Sequence, residues 1–312
     1  MTIKRAYDIE RYINKFHIHS LDMIVWHGLR AYLNWRLPVY YKNQKELKQQ
    51  NATAYTQDEV IVSLTSYPKR MKTLPLALES LFHQSIVPSR IMLWLAEDQF
   101  PDHSKVTKDL EAFVKRGLEI RFCEDLKAHK KYYYTMKEYP NSLVITVDDD
   151  ILYSEDMIEN LLLTHKEYPD CIVTCRAHEM KFVEGKPAPY SQWNRLARNC
   201  KGPSLSLCAT GGAGCLYPPG CLSEHVFDRE VLQEICFFAD DLWMKCMSFL
   251  NRTKVVLTET NNPEIITVKV KDDDGGLAIQ NVVNHRNDEQ LKAVSEKYGI
   301  VWERDITDIN DK

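Results

Sequence analysis

Apolar and polar positions follow two regimes along the chain. Up to residue 58 the apolar residues recur near helical spacing. In LDMIVWHGLRAYLNWRL, Leu21 to Leu37, the residues Ile24, Val25, Leu29, Tyr32 and Leu33 recur near helical spacing, with Trp26, Trp35, Arg30 and Arg36 beside them. Arg, His and Asn interrupt this stretch too often for it to span a bilayer. Its mixture of aromatic and cationic side chains suits a helix lying on an anionic membrane surface, or one packed on the rest of the chain or on a second subunit. The polar run KNQKELKQQNATAYTQ, Lys42 to Gln57, reads as a connector.

From Glu59 the pattern changes to short β-rich runs separated by helical segments. Val60, Ile61, Val62 and Leu64 form a continuous apolar run, the mark of a strand covered on both faces. The run ends in Thr65, Ser66, Tyr67 and Arg70, and a helix follows from about Leu74, capped by Thr73 with Pro75 in its first turn. RIMLWLAED, Arg90 to Asp98, is a second strand, and a charged helix from Lys105 to Arg116 stops at Gly117. LEIRFCED, Leu118 to Asp125, is the third strand. The fourth is LVITVDDDILY, Leu143 to Tyr153, followed by a helix with Ser154 as its cap. Four strand-then-helix units predict an α/β fold with a mainly parallel sheet flanked by helices, preceded by an N-terminal helical extension over residues 1–58. Residues 59–312 form the second unit, divided into halves at 59–153 and 154–312. In such sheets ligands bind beyond the carboxyl ends of the strands. All four strands here end there in polar residues, including Glu97, Asp98, Glu124 and Asp125.

Composition narrows the function classes. Over 312 residues, 40 Lys and Arg stand against 44 Asp and Glu, a net charge of −4, so no basic field recruits nucleic acid. The nine cysteines are odd in number and scattered without paired CxxC spacing, which reads as reduced thiols in a cytosolic protein.

Three consecutive carboxylates, Asp148 to Asp150, close the fourth strand. Two carboxylates about 4 Å apart repel by roughly 1 kcal/mol in water and roughly 4 kcal/mol at an effective dielectric near 20. A solvated acidic turn does not explain why the neighbouring strand ends are also polar. If the strand stays extended, Asp148 and Asp150 point to one side and Asp149 to the other. That arrangement suits Mg²⁺ or Mn²⁺ held by few protein oxygens, water and substrate phosphates.

ITVDDD, Ile145 to Asp150, together with VIVSLTSYPKR, ATGGAGCLYPPG (Ala209 to Gly220) and FFADDLWM (Phe237 to Met244), resembles the nucleotide-sugar glycosyltransferases of the GT-A fold. More narrowly the set resembles the family 2-like enzymes that build bacterial capsular and surface polysaccharides, over about Glu59 to Lys254. The resemblance implies a Rossmann-like GT-A domain and a nucleotide-diphosphate sugar donor, with UDP-sugar favoured. It also implies a glycan or lipid-linked acceptor, transfer with inversion, and a Mn²⁺ or Mg²⁺ cofactor. Residue by residue, Asp150 would bind the metal directly, with Asp148 and His285 as further ligands. Asp148 and Asp149 would also contact the donor, joined by Thr65, Tyr67, Arg70, Glu97 and Asp125. Of Lys127, Lys130 and Lys131, Lys130 is favoured as a point charge on the diphosphate. Asp241 would be the general base and Asp240 would orient the acceptor, which Gly211, Gly212 and Trp243 would help to bind.

A nucleotidyltransferase shares the sheet and the metal carboxylates, but it carries a Gly-rich loop after the first strand, and SLTSYPKR has no glycine. A phosphohydrolase needs a His-rich metal cluster or an Asp nucleophile after that strand. A non-catalytic glycan-assembly subunit stays open, as does a homo-oligomer. The second triplet, Asp272 to Asp274, precedes Gly275 and Gly276 and reads as a loop, and Leu291 to Tyr298 reads as a short helix.

Overall fold

The apolar run after Glu59 becomes the centre of a seven-stranded sheet. The computed structural model describes residues 1–16, 19–43, 49–101, 103, 106, 108–197, 200–260, 264–269 and 286–302. The main strands are β1 (Val60–Thr65), β2 (Arg90–Ala96), β3 (Leu118–Cys123), β4 (Leu143–Thr146), β5 (Ile172–Thr174), β6 (Cys215–Tyr217) and β7 (Val255–Leu257). They lie in the order β3-β2-β1-β4-β6-β5-β7. β6 runs antiparallel to β4 and β5, and every other neighbouring pair is parallel. The fold is therefore α/β with a mainly parallel sheet, as expected from the alternation of strand and helix.

Both faces of β1 are covered, which is why its sequence does not alternate. Val60, Val62 and Leu64 pack against Leu74, Leu78 and Leu81 of α3 (Leu74–Phe82), together with Leu110 and Phe113 of α4 (Lys108–Val114). Ile61 and Ser63 face the other way, toward α5 (Lys130–Glu138). There the Ser63 hydroxyl lies 2.7 Å from Thr135 Oγ1, which also accepts the Trp94 indole N–H at 2.7 Å. α6 (Met157–Glu167) returns to the α3 side through Ile158 and Leu161. Beyond it, α7 (Arg229–Ile235), α8 (Asp240–Leu250) and α9 (Arg286–Tyr298) enclose a second core around Trp243. All nine cysteines are free thiols.

The N-terminal region forms two helices, α1 (Ile3–Asn14) and α2 (His19–Asn43). Ile3, Ala6, Tyr7, Leu29, Leu33 and Leu37 pack on Ala77, Leu152, Ile266 and Val268. The Tyr7 hydroxyl donates to the Leu152 carbonyl at 2.9 Å and accepts from the Ile266 amide at 3.0 Å.

Local expectations differ in detail. Gly117 has φ +105°, the left-handed backbone of a helix-ending glycine. Thr73 begins α3, but its hydroxyl donates back to the Arg70 carbonyl at 3.0 Å instead of capping the helix. α6 starts at Met157 after Asp156, and Ser154 turns its hydroxyl onto Asp156. The last helix begins at Arg286, earlier than the apolar spacing suggests.

Candidate active site

β4 leaves the sheet at Thr146, so the acid triplet sits on a turn and not on extended strand. The alternation expected of the three aspartates is lost for that reason. Asp149 and Asp150 share one cation: Arg70 Nη1 lies 3.5 Å from Asp149 Oδ1 and is ion-paired with Asp150. Asp149 is buried and also accepts from the Ser66 hydroxyl at 2.5 Å. Burial raises its carboxyl to about 7 against the opposing charge of Arg70. Arg70 arrives from the 3₁₀ turn after β1, and its guanidinium lies 5.8 Å from the centre of the Tyr67 ring. β1 and β4 are sheet neighbours, so the two polar strand ends meet.

Asp148 turns away to a different cation. Lys131 Nζ lies 2.7 Å from Asp148 Oδ1 and 2.9 Å from Asp240 Oδ2. Its side chain is almost fully buried. Burial alone would lower its pKa, but the carboxylates of Asp148, Asp240 and Asp241 hold it well above the ordinary lysine range. Burial works to raise Asp240, and Lys131 overrides it to keep that carboxyl below its usual value. Asp241, beside it in the first turn of α8, accepts the Gly211 N–H at 2.8 Å. Burial, then the neighbouring Asp240 charge, raise Asp241 to about 7.

The glycine segment locks these groups together. A Cβ at Gly212 would stand 1.9 Å from Asp148 Oδ2, so only glycine leaves room for that carboxylate. Tyr153 OH accepts from the Asp148 amide at 2.7 Å and donates to the Gly212 carbonyl at 2.5 Å, and Thr146 Oγ1 donates to the Gly211 carbonyl at 3.1 Å. Tyr153 is a site residue that sequence reasoning missed, because it stands in apolar surroundings that read as packing, and Lys131 was passed over in favour of its neighbour Lys130.

Thr65 donates its hydroxyl to the Trp94 carbonyl at 2.8 Å, and Glu97 is exposed at the end of β2. Lys130 is not among the acid triplet's partners. It is buried against Asp125 at 2.5 Å, and Asp125 also holds Lys127 and Gln99. Burial would raise Asp125, but Lys127 and Lys130 bring it down to about 2. The basic partner of the triplet from this segment is Lys131, one position further on. Trp243 corrects a second expectation. It is fully buried, donates its indole N–H to the Val226 carbonyl at 3.2 Å and fills the core under α8, so it does not line an acceptor surface. His285 and Asp272 to Asp274 lie outside the described residues.

Five carboxylates thus gather around two basic side chains, Arg70 and Lys131. Among the described residues no three or more His, Cys, Asp or Glu are arranged as a protein-only metal cage. The donor set fits a different kind of ion: a hydrated Mg²⁺ or Mn²⁺ takes one or two carboxylates and completes its shell with water and substrate phosphates. Of the triplet, Asp150 and Asp148 keep part-exposed carboxylates.

No family model matches the sequence, and no curated protein sequence matches it. Among solved structures the chain is similar to the mannosyltransferase PcManGT from Pyrobaculum calidifontis in complex with GDP-Man and Mn²⁺. That match has 14% identity over 94% of this chain and 75% of the other, with a TM-score of 0.47. It is also similar to S. aureus TarS, with 15% identity over 66% of this chain and 59% of that one, and a TM-score of 0.43. The TarS complex with UDP-GlcNAc matches at 15% identity over 66% and 57% of the two chains, with a TM-score of 0.39. This chain therefore spans less than two thirds of those TarS chains, and the site's own geometry carries the functional reading.

Proposed function

We propose that the protein is a glycosyltransferase that moves a sugar from a nucleotide-diphosphate donor to a hydroxyl of a glycan or lipid-linked acceptor. The observation that carries this reading is the junction at Gly211 and Gly212, where the triplet Asp148 to Asp150 meets the helix that bears Asp240 and Asp241. The carboxylates proposed to bind the diphosphate and the proposed proton acceptor therefore adjoin one another.

Asp241 is the base. A carboxyl near 7 is about half ionised at neutral pH and basic enough to take a proton as the acceptor oxygen attacks. The acceptor O–H bond breaks toward Asp241, the oxygen bonds to the anomeric carbon, and the carbon–oxygen bond to the diphosphate breaks. The leaving diphosphate keeps the electron pair. Direct displacement of this kind inverts the anomeric centre. Arg70, fixed between Asp149 and Asp150, supplies positive charge at the end of the cleft where the leaving group's charge develops. Lys131 holds Asp148 and Asp240 in register. A divalent cation, when bound at Asp150 and Asp148, would add neutralising charge for the diphosphate. Uridine as the donor base, and a place in capsule or surface-polysaccharide synthesis, follow from the sequence resemblance.

A panel of UDP-, GDP- and CMP-sugars, scored by thermal shift with and without Mn²⁺, tests the reading. A ligand that binds only the folded state at about 100 times its Kd stabilises it by about 2.7 kcal/mol. One donor class should raise the Tm, more so with Mn²⁺, and then turn over with a glycan acceptor. No shift from any sugar nucleotide would end the proposal.

A further inference from the structure

α2 has two apolar faces. Leu29, Leu33, Leu37 and Tyr41 form the buried stripe. Leu21, Ile24, Ala31, Tyr32, Trp35 and Val39 look outward on the other side, with Ile24 70% and Trp35 73% exposed. Tyr12 of α1 and Phe16 just after it are exposed apolar residues of the same hairpin. Scattered exposed apolar side chains are ordinary, but a row along roughly 27 Å of one helix is not. An apolar face of this length on a helix is normally covered.

Charge indicates what covers it. Residues 1–43 carry seven Lys and Arg against three Asp and Glu, a net +4. The whole chain is −4, which leaves −8 for the remainder. Asp22, the one acid of α2, is half-buried, so among the described residues the outward face of that helix presents no exposed carboxylate. No described helix is long and apolar enough to cross a membrane. α2 thus presents an aromatic, apolar outward face without an exposed acid, on a hairpin of net positive charge whose exposed Asp8 is paired with Arg11, and that is what an interfacial helix presents to anionic lipid.

We propose that the outer face of the α1–α2 hairpin docks on the surface of an anionic lipid membrane. Two-fold packing of a second copy on the same face would set +4 against +4, which disfavours that occupant. α1 also begins beside the acid triplet: its Ile3 and Lys4 amides donate to Glu155 at 2.9 and 2.6 Å. Docking therefore holds the candidate cleft near the lipid. On the glycosyl-transfer reading, which this last step alone rests on, that location favours an acceptor carried on a lipid.

Flotation of the full chain, without donor or acceptor, tests docking separately from transfer. The probes are vesicles of phosphatidylcholine alone and of phosphatidylcholine mixed with phosphatidylglycerol. The chain should float with the anionic vesicles and be released by high salt. Ile24→Ser with Trp35→Ser should cut the bound fraction about tenfold or more at an unchanged melting temperature, since neither side chain is in the core. Absence of flotation, or flotation that the double variant leaves unchanged, overturns the proposal. So does sedimentation velocity showing a lipid-free dimer that the double variant dissociates, because the face would then belong to a second copy.

Discussion

Lys131 and Asp240 are joined at 2.9 Å, and the same ammonium reaches Asp148 at 2.7 Å, so one side chain of α5 ties the turn after β4 to the first turn of α8. Removing one partner of a buried ion pair leaves the other charge uncompensated, at about 3 kcal/mol. Lys131→Met should therefore lower stability by about that much at pH 8. Lys131 keeps Asp240 ionised below its usual range, so without it the aspartates take up protons at higher pH and the loss shrinks toward pH 5. Denaturant unfolding at the two pH values checks this. Lys130→Met should also destabilise, through Asp125, while leaving kcat unchanged.

Asp241→Asn should keep donor affinity within about twofold and lower kcat by about 10²–10⁴-fold. In the unsubstituted protein the base must be ionised. With its carboxyl near 7, kcat should rise about tenfold per pH unit below pH 7 and level off above it. A profile flat from pH 5 to 8 would remove Asp241 from the role.

Asp150→Asn should abolish the part of donor affinity that depends on Mn²⁺, measured by calorimetry with and without the ion. Equal metal dependence in both proteins would move the cation elsewhere.

Gly212→Ala should displace the Asp148 carboxylate, because the added Cβ would stand 1.9 Å from Oδ2. The expected cost is about 1–3 kcal/mol, together with weaker donor binding. Gly28→Ala is the contrast, since its Cβ would meet nothing within 4 Å. In mid-helix it should gain up to about 1 kcal/mol. Thermal melts of the two variants separate crowding from helix propensity.

The sheet was legible because burial on both faces leaves an unbroken apolar run, as in Val60 to Leu64, and the acid triplet was legible because its charge contradicts the strand before it. Lys130 and Lys131 were not separable. They sit about 100° apart on a helix, and where that helix begins decides which one points at the acids. Trp243 could have been placed by the same arithmetic. Two positions after Asp241 it lies about 200° round α8, so if Asp241 faces the cleft the indole faces the core. The Asp148 to Asp150 alternation failed because the strand ended two residues before the first of them.

The contacts of α1 bear on how the protein can be divided. Glu155, which receives the first two amides of α1, lies only five residues after Asp150, and Leu152 between them packs on the same helices. A shortened chain starting at residue 59 would uncover Ala77, Leu152, Ile266 and Val268 together and leave the loop behind the acid triplet without its anchor. α1 and α2 form a wall of the protein body, and point substitutions on their outer face, not truncation, are the way to separate the proposed attachment from the proposed transfer.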